Sequence, residues 1–265
     1  MLNQILIGQY IATDSFLHRI DPRTKLSAML FLVLIIFGSQ EPYQYALIGL
    51  SLFLAYAFSG IRLIHLYRGM RPILWFVYLT FFLHILLNKN GELLWQLGFI
   101  RVYSEGFWHG LTICFRLIAL IFFSTLLTVT TAPIAMTEGI EALLKPFRKF
   151  LPVHEIALML TISIRFIPTI LRETERLIKA QAARGGSIAR GSIFQRFQHI
   201  MPLIVPLFIM SFKRADELAT AMEARGYQGS HGRSKYKQLS FSWRDYLLAA
   251  LLFVWIGSTI YEYFL

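Results

Sequence analysis

Charge and cysteine are both scarce in this sequence. Asp, Glu, Lys and Arg make up 15% of its 265 residues and 56% of the chain is hydrophobic, whereas a soluble domain carries about 25% charge. That balance excludes an ordinary soluble domain and implies an integral membrane protein. The one cysteine, Cys114, lies inside an apolar run. It excludes an intrachain disulfide and any multi-cysteine metal site, and it reads as a small buried hydrophobe. There is no Gly-rich phosphate cradle ending in Gly-Lys-Ser/Thr, and Gly232-Arg233-Ser234-Lys235 does not match one. Zinc-protease and serine-hydrolase motifs are missing as well. The chain is therefore expected to be non-catalytic, to bind no metal and to hold no cofactor of its own. The N-terminus has no basic start followed by an apolar stretch and a small-residue cleavage site, so no removable signal peptide is expected. Nor does a ladder of Asp, Glu and His span the bilayer, as a proton relay would need.

What charge there is sits unevenly. The net charge is +11; residues 134–240 hold 16 basic and 8 acidic side chains, while residues 1–133 hold 9 and 5. A basic block of this kind fits a face toward anionic lipid or an acidic protein. Nucleic acid is disfavoured as a partner, because the basic residues alternate with Leu, Ile and Phe instead of forming a solvated arm. Five apolar runs read as spans: Leu26–Gly38, Tyr43–Ser59, Pro72–Leu87, His109–Thr131 and Trp243–Phe264. The first is short for about 20 spanning residues, so Lys25 is expected to snorkel or the bilayer to thin. Arg116 reads as snorkelling from one end of its run. Arg19, Arg23 and Lys25 precede the first span and Arg62, Arg68 and Arg71 lie between the second and third, but 39–42 has no basic residue. The positive-inside rule then puts the N-terminus in the cytoplasm. The expected fold class is all-α: a polytopic membrane protein of about five transmembrane helices plus helices in a cytoplasmic block. Its expected domains are a membrane domain over 1–131, a cytoplasmic block over 132–240 and a C-terminal span over 241–265.

The block at 132–240 carries the most informative residues. Its helices are expected over Ala135–Phe150, Glu155–Lys179 and Pro206–Ala224, with 185–200 as a connection. Arg165 is expected to neutralise a carboxylate or to contact the backbone at the Pro168 break. Glu173 and Glu175 are expected to be solvated and paired with Arg172, Arg176 or Lys179. Phe208, Phe212, Ala215, Ala219 and Met222 form the apolar stripe of the last helix, and the two alanines, four apart, leave room for a crossing helix. Two tripeptides stand out: Ala183-Arg184-Gly185 and Ala224-Arg225-Gly226, 41 positions apart. Gly supplies the left-handed residue that commonly ends a helix, so each Arg is expected in the last turn of its helix. Local capping of the helix dipole, worth about 0.3–1 kcal/mol, would explain one. Two copies favour docking onto paired partner subunits, because the planar guanidinium grips a carboxylate in two places.

These residues resemble a known family. Thr161–Pro168 (TISIRFIP) with Glu173–Gly185 (ETERLIKAQAARG), and Arg214–Tyr227 (RADELATAMEARGY), are similar to the two signatures of the transmembrane T component of energy-coupling factor transporters. His18–Leu26 (HRIDPRTKL) resembles the family's N-terminal segment. The resemblance implies a non-catalytic scaffold in an ABC-type importer, located in a prokaryotic plasma membrane. Its partners would be two ABC-type ATPases, which hold the ATP and Mg, and a small membrane S component that binds a vitamin or other micronutrient. It implies that Arg184 and Arg225 enter grooves on the ATPases, with Ala183, Gly185, Ala224 and Gly226 shaping the tips. The implied contacts to the S component are Ile156, Leu160, Ile164 and Ile167 on one helix, and Phe208, Phe212, Ala215 and Ala219 on the next. The alternative is a self-contained secondary transporter or channel, which would need midplane charge or broken-helix sites and an internal repeat.

Overall fold

The computed structural model describes residues 10–11, 13–97, 100–184, 193–229 and 240–263. These divide into two compact units, one within 8–142 and 239–265 and the other within 143–238. The protein is an all-α, polytopic membrane protein, as the composition requires.

The first unit contains α1 (Pro22–Gly38), α2 (Pro42–Ser59), α3 (Leu63–Leu87), α4 (Ser104–Thr130), most of α5 (Pro133–Leu144) and α8 (Trp243–Tyr263). The starts of α1 and α2 arise from local chemistry. Asp21 caps α1, its Oδ1 accepting from Arg23 N at 2.9 Å, and Pro22 takes the first helical position, where no N–H is needed. Before α2, the backbone N–H groups of Gln40 and Glu41 donate to Gln44 Oε1, and Pro42 again opens the helix. The third helix and its connection to α4 differ from the sequence expectation. Helix α3 starts at Leu63 and runs through Pro72 without breaking there. Between α3 and α4, where the sequence suggests only a loop, Leu93–Leu97 (β1) and Ile100–Tyr103 (β2) form an antiparallel hairpin.

Close approach of α3 and α4 depends on two glycines. A Cβ at Gly106 would stand 2.9 Å from Asn88 O, and one at Gly110 would stand 3.2 Å from the Phe81 ring. The two are four residues apart, the small-x-x-x-small spacing by which membrane helices pack. Ile36, Ile48, Ala119 and Phe123 form one buried cluster among α1, α2 and α4, and Ile61, Leu66, Leu126 and Val129 form a second. The outer surface, by contrast, is apolar: Leu30, Leu34, Phe37, Phe53, Trp75, Phe76 and Tyr78 are all exposed. Water does not tolerate a patch of this extent, whereas lipid does.

Buried polar groups in this unit cap helix ends. Lys25 does not snorkel. It is 7% exposed and donates from Nζ to Thr130 O (3.0 Å) and Thr131 Oγ1 (3.3 Å), closing the C-terminus of α4. Arg116 does not snorkel either. Its Nη2 donates to Ser39 O, the carbonyl just past α1, and to Tyr45 Oη at 2.7 Å, while Tyr45 Oη itself donates to Ser39 O at 2.9 Å. The physical cause is length. At 17 residues α1 is short of a bilayer, so its last carbonyl needs a donor from within the protein. Each of α1 and α4 thus supplies the cation that caps the other. Asp245 makes a third tie. Its carboxylate, on a residue 3% exposed, accepts from Asp21 N (2.8 Å) and Ser242 N (2.6 Å), joining the starts of α1 and α8 across 224 residues of sequence.

The second unit holds a short 3₁₀ helix (Lys145–Lys149), α6 (Val153–Ala183) and α7 (Ile193–Ala224). Both long helices exceed the expected bounds. Pro168 lies inside α6, and Pro202 and Pro206 lie inside α7, which starts 13 residues before the expected Pro206. Among the described residues, α3, α4 and α6 are the helices long and apolar enough to cross a membrane.

Candidate functional site

The two Ala-Arg-Gly sequences stand at the ends of α6 and α7. Ala183 is the last residue of α6, and Arg184 comes next as its C-cap with φ −87° and ψ 10°. Its N–H donates to Gln181 O at 3.1 Å. Gly185 lies outside the described residues. The end of α7 is complete: Gly226 has φ +72°, its N–H donates to Glu223 O at 2.8 Å, and Tyr227 N donates to Met222 O at 3.0 Å. This is the paired closing pattern of a Schellman end, and the left-handed residue at its heart is why glycine stands there. Arg225 occupies the cap position just before that residue.

Both guanidinium groups are exposed. Among the described residues neither Arg184 nor Arg225 has a carboxylate or carbonyl partner for its side chain. The α7 carbonyls at Met222 and Glu223 are closed by backbone N–H groups, so Arg225 is not consumed as a cap. Each tip therefore presents an unspent, permanently charged fork able to take a carboxylate in two places.

The stripes expected to face a membrane partner are uncovered. Ile156, Leu160 and Ile167 of α6 are exposed and Ile164 is half-buried. On α7, Phe208, Phe212, Ala215 and Ala219 are exposed, and the Phe208 and Phe212 rings meet edge to face at 4.6 Å. The covered side of α7 is a different one, marked by Leu203, Leu207, Arg214 and Leu218. The alanine pair 215/219 is thus not where α6 packs.

Two expectations about charge on α6 are corrected. Glu173 is not a solvated partner of its own helix: its side chain is 14% exposed and accepts from Arg214 Nη2 on α7. Sequence spacing along one helix cannot show a partner 41 residues away. Arg165 neutralises nothing and touches no carbonyl among the described residues; it is exposed. Cys114 is buried, as expected of a small hydrophobe. Among the described residues no group of His, Cys, Asp and Glu is placed to hold a metal ion.

Comparison with known proteins decides the family. The family model described as cobalt transport protein matches residues 13–236. The chain is 46% identical to the energy-coupling factor transporter transmembrane protein EcfT of Bacillus subtilis over 261 residues, covering 96% of this chain and 98% of that protein. This chain belongs to the EcfT family. It is also 45% identical to the EcfT of Streptococcus thermophilus over 248 residues (93% of this chain, 94% of the relative). With the EcfT of Bacillus selenitireducens it shares 41% identity over 266 residues, 100% of this chain and 99% of the relative. Family membership thus extends over both units and includes both Ala-Arg-Gly tips.

Proposed function

We propose that this chain is the energy-coupling membrane subunit of an ECF-type ABC importer. It is a transporter subunit that performs no chemistry. Two ABC-type ATPases bind its tips, and ATP and Mg stay on those partners. A membrane S component carrying a vitamin or another micronutrient rests on the exposed stripes at 156–167 and 208–219. The chain sits in a prokaryotic plasma membrane with its N-terminus and the Arg184 and Arg225 tips in the cytoplasm, in keeping with the distribution of Lys and Arg.

The observation that carries this reading is the pair of exposed guanidinium groups that their own helices do not use. A cation held at a helix end without a partner is a poor stability device but a good handle. Because α6 and α7 are stiff, a carboxylate-lined groove that moves Arg184 or Arg225 must move the whole helix. Apolar residues farther along the same helices then shift against whatever they touch in the membrane, which releases the bound solute inward.

The test is co-purification. In the complex, Arg184→Glu with Arg225→Glu puts an anion where each groove expects a cation. Breaking one partner of a desolvated charge pair costs about 2–5 kcal/mol, so the double variant loses its ATPases while still inserting in the membrane. ATPases retained at the wild-type ratio would overturn the reading.

A further inference from the structure

The two motif blocks align without a gap. Residues 173–185 and 214–226 each end in Ala-Arg-Gly, and each begins with a charged residue, Glu173 in one and Arg214 in the other. Those two first residues are the ones that meet in space: Arg214 Nη2 donates to the Glu173 carboxylate. Arg214 also lies over the Phe166 ring at 5.7 Å. Phe166 and Glu173 are seven residues apart, so both lie on one face of α6. The pair is largely withdrawn from solvent, with side chains 30% and 14% exposed. Among the described residues it is the one ion pair between α6 and α7. From Glu173 to Arg184, and from Arg214 to Arg225, there are 11 residues, or about 16 Å of helix.

We infer that Glu173 and Arg214 are the fulcrum of the α6–α7 pair: positioning residues that fix where the helices meet, the same number of residues from both tips. This rests on the proposed coupling function and adds to it the point about which the helices turn. The pair sets the register of the two helices. A slip of α7 by one turn would bring Met210 or Leu218 opposite Glu173 and leave a shielded carboxylate without a partner. Rotation about the pair keeps the ion pair and the ring contact; sliding destroys both. Equal arms then convert the movement of two like ATPases into equal, opposed displacement of the tips. Phe166 contributes a ring face to the same guanidinium.

The experiment uses the full complex in proteoliposomes and reads ATP-driven uptake beside ATPase co-purification. Glu173→Gln and Arg214→Gln should each cut uptake at least about tenfold, as expected when one partner of a shielded pair is removed, with the ATPases still bound. The exchange of both charges, Glu173→Arg with Arg214→Glu, should restore most of the uptake. In a second arm, Glu173→Cys and Arg214→Cys, in a Cys114→Ser background, are joined by a short bis-maleimide. A fixed fulcrum predicts that joining them raises uptake over the unjoined pair. The inference is overturned if the single variants transport normally, if the exchange is no better than they are, or if joining the cysteines stops uptake. Should the exchanged variant fail to assemble, the joined cysteines decide alone. Failure of the coupling reading itself looks different: Arg184→Glu with Arg225→Glu would leave the ATPases bound.

Discussion

The two units spend their charged residues in opposite ways. In the first, Lys25, Arg116 and Asp245 are turned inward and close helix ends that lipid could not satisfy. In the second, α6 and α7 carry many charges yet among the described residues use one ion pair between them, and leave Arg184 and Arg225 exposed. A polar group that caps a buried helix end serves the fold. One that stands exposed on a rigid element whose end is already closed is available to a partner. The lesson is to ask of each charge whether the chain's own backbone needs it.

Variants that break this contrast are ordered by expected effect. The largest is at Asp245. Asp245→Ala leaves two backbone N–H groups at helix starts without an acceptor, which costs about 2–4 kcal/mol and lowers the thermal midpoint in detergent. ATPase binding measured at low temperature should survive. Gly110→Leu comes next: the added side chain runs into Phe81 and costs about 1–3 kcal/mol, again read as a lower midpoint. Lys25→Met removes the donor that closes α4 while keeping the apolar stem, at a cost of about 1–2 kcal/mol. At the tips the pattern reverses. Arg184→Ala or Arg225→Ala should leave the midpoint of the isolated chain within about 0.5 kcal/mol of wild type and still weaken ATPase docking. The smallest effect is at His18, outside the spans. Its Nε2 donates to Ile11 O at 2.9 Å and its Nδ1 pairs with Ser15 Oγ at 2.7 Å. Burial lowers its pKa below the ordinary value, so the folded chain takes up a proton less readily than the unfolded one. The stability this provides is complete above about pH 6.5 and is lost as pH falls through the lower folded value. The midpoint should fall by about 1–3 °C on acidification, and His18→Gln should flatten that dependence.

Much of this is legible in the sequence where signals are local. Asp21-Pro22 and Glu41-Pro42 announce two helix starts, and Gly226 announces an end. Pro72 and Pro206 mislead in the same way: each reads as a boundary, yet the helix runs through it, because a membrane or packed setting tolerates the missing N–H. The Leu93–Tyr103 hairpin is hidden behind Asn88, Lys89, Asn90 and Gly91, which read as plain loop. The Gly106–Gly110 spacing is visible and marks a face for close helix packing, but that α3 is the partner comes from the structure. Lys25–Thr130, Arg116–Ser39 and Glu173–Arg214 are not legible, since each joins residues 41 or more apart and no periodicity encodes such a pairing. Ala-Arg-Gly can be seen twice in the sequence; that its arginines are unspent requires the structure.

On the proposed function the tips are handles moved by the ATPases. This is tested most directly by the distance between spin labels at Ala180→Cys and Ala221→Cys, both exposed positions four residues before the tip arginines, in the assembled complex with and without ATP. ATP should change this separation, and Arg184→Glu with Arg225→Glu should abolish the change. An unaltered separation in a complex that transports would contradict it.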